Sequence, residues 1–195
     1  RYPVIEVVWA RFVFHMLFVL IMLSAQLRKH AMTRRPWLQL SRSLLILTTT
    51  MLFFFGVKLL PLADASAIMF LCPILLTVLA IPLLGERVGP RRWAAVVVGF
   101  VGALIVIRPG MGVMGAGSVL LICAALCNAL YQLITRLLRT IDGPLTTTLY
   151  TASLGAIVLT FVVPAVWTTP QLAHWPQFIL MGIFGGAGHF TLVKA

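Results

Sequence analysis

Pro61-Leu62-Ala63-Asp64-Ala65-Ser66-Ala67-Ile68-Met69-Phe70-Leu71-Cys72-Pro73-Ile74-Leu75-Leu76-Thr77-Val78-Leu79-Ala80-Ile81-Pro82-Leu83-Leu84-Gly85-Glu86-Arg87 is the stretch that decides the fold class. Between Leu62 and Leu84 its only charged side chain is Asp64, near the start. At ~1.5 Å per residue a helix over this run measures roughly 34 Å, enough to cross a hydrocarbon core about 30 Å thick. Lipid offers no partner to an unpaired backbone amide, so such a run must be helical. The alternating ten-residue segments of a membrane β-barrel do not occur.

Working outward, apolar runs bounded by Gly, Pro and charge predict seven spans. They cover Val4–Ser24, Leu40–Leu59, Leu62–Leu84, Trp93–Ile107, Gly117–Leu138, Leu145–Trp167 and Pro176–Val193. The expected fold is an all-α membrane protein, a polytopic transmembrane helix bundle. Of 195 residues 61% are hydrophobic and 10% charged. A soluble domain is about a quarter charged, so that class is excluded, and a disordered chain would be poor in aliphatic residues.

The net charge of +11 does not indicate nucleic acid, because the basic residues fall mainly in short loops, as membrane topology requires. Arg28, Lys29, Arg34, Arg35 and Arg42 follow the first span, Arg87, Arg91 and Arg92 the third, and Arg136 and Arg139 close the fifth. The opposite side has Arg1 and Arg108, and Thr168–Trp175 has neither Lys nor Arg. The basic loops are therefore expected in the cytoplasm. Trp9, Trp37, Trp93, Trp167 and Trp175 all lie near span ends or in loops, where an indole prefers the headgroup layer. The chain opens on Arg1 without an initiator Met and closes at Lys194-Ala195, which reads as a truncated gene product.

Further residues carry a resemblance. Pro61 to Ile68 leads through Pro73 to Leu84-Gly85-Glu86-Arg87, then Trp93, Gly99, Gly102 and Arg108-Pro109-Gly110. Glu6 and Arg11 in Glu-Val-Val-Trp-Ala-Arg, and Ala129-Leu130-Tyr131, extend it. The chain resembles the EamA-type branch of the drug/metabolite transporter superfamily. The resemblance implies a ten-helix carrier of two inverted five-helix repeats, of which this chain would hold helices two to eight. Residues 1–110 would be the first repeat without its first helix, and 111–195 the first three helices of the second. Inverted repeats commonly place the solute site near the midplane.

Polar groups within spans are the candidates for chemistry, because each charged one costs about 2.5–3.5 kcal/mol at mid-helix. The four acids, Glu6, Asp64, Glu86 and Asp142, sit at span ends or in loops. Arg11 lies about 10 Å inside the first span, with His15 at i+4 on the same face. A guanidinium there suits an anionic solute, or else snorkels to the headgroups. His15 and His189 are either hydrogen-bonded core residues or proton carriers. In the fifth span Asn128, Tyr131, Gln132 and Thr135 share one face and would wall a solute path or bond to another helix. The expected substrate-binding set is thus Arg11, His15, Asn128, Tyr131, Gln132, Thr135 and His189.

Lys58 and Asp64 are expected to pair at the turn around Pro61, with Glu6 and Arg11 nearby. Pro73 is expected to kink the third span. Small residues recur at Ala95, Gly99 and Ala103, and at Gly182 and Gly186, as close helix packing requires. Cys72, Cys123 and Cys127 have no metal-site spacing and read as buried small hydrophobes. No P-loop, HExxH or nucleophile triad occurs. The expected function is secondary active transport of a small metabolite across the bacterial inner membrane, without enzyme activity or cofactor. The expected partners are a small-molecule solute, membrane lipid and a second copy in a homodimer. The alternatives are an intramembrane enzyme on a lipid-linked substrate and a non-transporting membrane scaffold.

Overall fold

The computed structural model describes residues 2–23, 32–85, 88–107 and 115–194. Its helices are α1 (Val4–Leu23), α2 (Pro36–Leu59), α3 (Leu62–Met69), α4 (Leu71–Leu84), α5 (Pro90–Ile107), α6 (Ala116–Leu138), α7 (Pro144–Val162) and α8 (Trp175–Lys194). Short 3-10 turns at Val163–Val166 and Leu172–His174 join the last two. Counting α3 and α4 as one span, six helical segments are long and apolar enough to cross a membrane. The protein is an all-α polytopic membrane protein, as the apolar runs require.

Helix starts follow proline. Pro36, Pro90 and Pro144 each open a helix, where the missing N–H would have no intrahelical acceptor and φ is already helical. The apolar runs predicted later starts, at Leu40, Trp93 and Leu145. The first turns of α2 and α5 carry Gln39, and Arg91 and Arg92, which hydropathy assigns to loops. Helix α4 ends at Gly85, whose φ of 66° lies in the left-handed region open to glycine, with its N–H on the Ile81 carbonyl at 3.0 Å. Glu86, Arg87 and Arg108-Pro109-Gly110 lie outside the described residues.

The expected kink at Pro73 is a break one turn earlier. Proline has no N–H for the carbonyl four residues back, that of Met69, and its ring crowds that carbonyl. The helix is interrupted at Phe70, whose N–H bonds Ala67 O at 3.1 Å in a tighter turn. Thr77 Oγ1 then donates to the Pro73 carbonyl at 2.9 Å.

The chain forms two compact units. One comprises Arg1–Leu47 with Ile134–Ala195, and the other Thr48–Leu133, so α2 and α6 each pass from one to the other. In the first unit α1 packs on α7 and α8. Val19, Leu23 and Leu149 form a small core there. Close approach depends on glycine. A Cβ at Gly155 would stand 2.2 Å from Phe12 Cδ1, and one at Gly182 2.3 Å from Phe14 Cβ. Gly182 and Gly186 thus face α1, as their spacing predicts; the Ala103 side chain lies outside the described residues.

In the second unit α4 packs on α6 through Cys72, Leu76, Ala80, Ala125, Ala129 and Leu133. Ala65, Ile68 and Leu121 join α3 to α6. Cys72 is buried, as expected, whereas Cys123 is exposed. Among the described residues no ion pair joins Lys58 to Asp64; Lys58 is exposed and Asp64 half-buried. The expected pair is corrected by that exposure, since a solvated or snorkelling ammonium gains little from a partner.

Candidate functional site

Three of the predicted solute residues meet within the first unit. Arg11 and His15 are one turn apart on α1. His15 stacks on His189 of α8, with ring centroids 5.6 Å apart and planes 8° from parallel. Gly185 and Gly186 make room for them. A Cβ at Gly185 would lie 3.2 Å from Arg11 Nε, and one at Gly186 2.8 Å from His15 Cδ2. His15 is 1% exposed, and its Nε2 has no hydrogen-bond partner among the described residues. A buried acceptor or donor left in this state costs about 1–3 kcal/mol, so it stands out as a place for a ligand or a proton.

Asn128, Tyr131 and Gln132 lie on α6 in the second unit. Tyr131 is buried, and Asn128 and Gln132 are half-buried. Gln132 Nε2 donates to Cys72 Sγ at 3.1 Å, a weak bond that fixes the amide against α4. Thr135, the last of the stripe, belongs to the first unit and accepts from Arg42 Nε at 2.7 Å.

Arg42 is the residue that hydropathy misplaced. Counted with the cytoplasmic charges, it is instead fully buried in α2, about 9 Å from the helix start at ~1.5 Å per residue. Its Nη1 donates to Thr147 O at 3.2 Å and to Thr151 Oγ1 at 2.6 Å. One turn earlier Gln39 Nε2 donates to Asp142 Oδ2 at 2.8 Å and to Thr147 Oγ1 at 3.3 Å. Thr33 Oγ1 donates to the same carboxylate oxygen. An acid and a base are thus linked through one amide and one threonine, the arrangement by which apolar surroundings tolerate ions. The sequence signal was there: Thr146, Thr147, Thr148 and Thr151 crowd one end of α7, more hydroxyls than lipid contact favours.

A second polar set ties α1 to the 163–174 connector. Glu6 is 1% exposed, and its Oε2 accepts from Thr168 N at 3.2 Å and Thr168 Oγ1 at 2.6 Å. Tyr2 Oη and His174 Nδ1 share a hydrogen bond of 2.7 Å, and Tyr2 Oη accepts from the Gln171 N–H at 3.1 Å. Trp9 and Trp167 meet edge to face at 5.4 Å. Glu6 is therefore enclosed by protein rather than exposed at a span end.

Comparison with known proteins finds transporters. The chain is 26% identical to the S-adenosylmethionine uptake transporter of Rickettsia bellii over 190 residues, 97% of this chain and 65% of that protein. It is 28% identical to the S-adenosylmethionine uptake transporter of Rickettsia prowazekii over 191 residues, with the same shares covered. A riboflavin transporter of Rhizobium johnstonii is 31% identical over 168 residues, 84% of this chain and 54% of that protein. The chain thus spans less than two thirds of the length of these relatives. No solved structure matches it. The apolar helices and bacterial relatives make this a multi-pass inner-membrane protein. The family model for EamA-like transporters matches residues 1–108, more than half of the chain, and the chain belongs to the EamA-like transporter family.

Proposed function

We propose that the full-length protein is a secondary carrier that moves a small metabolite across the inner membrane. The observation that carries this reading is the cluster of Arg11, His15 and His189, polar groups gathered between two apolar helices where packing alone would place Leu or Ala. The relatives named above are named for uptake or transport, not for catalysis, and a scaffold would leave this cluster unexplained. Asn128, Tyr131 and Gln132, in the second unit, and Thr135, in the first, are the further candidate solute groups, all on α6. Arg11 suits a carboxylate or other anionic group on the solute, because its planar fork binds two oxygens at once. The chain is read as the larger part of two inverted repeats that divide at 110/111, a boundary outside the described residues.

Flux of S-adenosylmethionine or riboflavin into vesicles holding the full-length protein tests the reading. Asn128→Leu and Gln132→Leu should each lower flux at least tenfold with folded yield near normal, since a solute's water is no longer replaced on that wall. Arg11→Lys should impair a carboxylate-bearing solute more than a neutral one, because charge stays while the fork is lost. Equal losses of flux and folded yield would assign these residues to packing.

The orientation is proposed from charge: the loop before α2 cytoplasmic and Thr168–Trp175 outside. Single cysteines at Arg34 and Thr169, in a background without the native thiols, should separate the sides. Only Thr169→Cys should react with an impermeant reagent in intact cells, and reaction at both positions would refute the topology.

A further inference from the structure

Two consecutive glycines of α8 face the two basic groups of α1. A Cβ at Gly186 would lie 3.4 Å from His15 Nε2, the atom without a partner among the described residues. One at Gly185 would lie 3.2 Å from Arg11 Nε and 3.9 Å from Nη2. The glycines thus leave room beside both groups where a side chain would pack on them. His15 is buried, but Arg11 and His189 are half-buried, so the histidine stack has a partly open ring and a guanidinium at its edge. Few other charges come near. Besides His189, α8 carries only Lys194, five positions on. Helix α7 carries no Asp, Glu, Lys, Arg or His, its one titratable group being Tyr150, and the turn at Val163–Val166 carries none. Arg42 of α2 also bears on His189 electrostatically, while Glu6 of α1 is bound to Thr168.

We propose that His15 and His189 share a proton that crosses the membrane together with a carboxylate-bearing solute held by Arg11. An anion on Arg11 lies within one helical turn of the stacked rings. Attraction between that anion and a proton on the rings is little screened in an apolar medium, so each raises the affinity for the other. The stack holds one proton rather than two, because two imidazolium rings at this separation would repel. The proton comes from water on the loading side, reaches His15 Nε2 through the open edge at His189, and returns to water on the release side. No bond of the solute is made or broken. A proton needs no cavity, which suits a ring that is 1% exposed. The inference rests on the carrier reading above and adds its coupling ion and the groups that hold it.

S-adenosylmethionine, which bears a carboxylate, and riboflavin, which does not, are the probes. Full-length protein in vesicles at zero membrane potential is assayed with and without a lumen one pH unit more alkaline than the outside. One proton per solute sets an accumulation of S-adenosylmethionine of about tenfold, the worth of one pH unit. Riboflavin should gain nothing from the gradient, and an equal gain would overturn the link between proton and anion. His15→Gln and His189→Gln should each bring the gain, taken against the same variant's movement without a gradient, to about one. Thermal midpoints check folding, and if one variant does not fold the other decides. A purely packing role would lower movement with and without the gradient alike, and a tenfold gain kept in the variants would overturn the assignment to these histidines. Wild-type movement of S-adenosylmethionine that ignores the gradient would overturn proton coupling and keep the carrier. Movement of riboflavin alone would overturn the carboxylate assignment at Arg11 and keep the carrier, and movement of neither compound would overturn both.

Discussion

Gly182→Ala should lower the thermal midpoint of the detergent-solubilised protein sharply, while Gly188→Ala, on the same helix, should raise it slightly or leave it unchanged. The two positions differ in what a methyl group would meet. At Gly182 the nearest atoms are Phe14 Cβ at 2.3 Å and the backbone of α1, with His15 N at 3.0 Å. Backbone cannot swing aside as a side-chain tip can, so α1 and α8 must separate. Overpacking of this kind costs about 1–3 kcal/mol. Separation would also pull His15 from His189, so flux should fall further than folded yield does. At Gly188 nothing lies within 4 Å. Alanine there gains helix propensity worth up to about 1 kcal/mol. Equal midpoints for the two variants would mean that α1 and α8 do not pack through Gly182.

Arg42→Ala should be the most damaging change at any charged residue of the chain. It removes the hydrogen bonds to Thr135, Thr147 and Thr151 and leaves a cavity where, among the described residues, the largest fully buried side chain stood. Hydrogen bonds between membrane helices average about 0.6 kcal/mol, so the bonds account for about 2 kcal/mol. The cavity adds about 2–5 kcal/mol by analogy with other large-to-small core changes. Arg42→Met separates the two contributions, since it refills most of the volume and restores none of the bonds. Arg42→Lys keeps the charge but cannot reach Thr135 and Thr151 together through one ammonium. The expected order of thermal midpoints is wild type, then Arg42→Lys and Arg42→Met, then Arg42→Ala. A midpoint for Arg42→Met at the wild-type value would show that volume alone matters there.

The buried network and the predicted site residues were legible to different degrees, for physical reasons. Arg11 and His15 could be placed on one face because helix geometry fixes i and i+4. That His189 closes on His15 could not be read, since it depends on how α8 meets α1. Thr135 was placed on its helix, but its bond to Arg42 could not be read, because it joins positions 93 apart in sequence. Gln39 was read as loop and Arg42 as a cytoplasmic charge. Hydropathy weighs a residue by its own transfer cost and ignores the partners that offset it.

The sequence by itself determined the class of protein and the run of helices. Apolar length, the need to satisfy every backbone amide within its own segment, and prolines at helix starts are local properties that survive without any neighbour. It also pointed to close packing at Gly182 and Gly186, though not at Gly155, whereas Ala95 and Gly99 of the other small-residue stripe are exposed. Tertiary structure alone decided which polar side chains are buried and with whom. Lys58 and Asp64, six positions apart, do not pair, whereas Glu6 finds Thr168 across 162 positions. Charges in an apolar medium are placed by the partners that reach them, and those partners come from other helices.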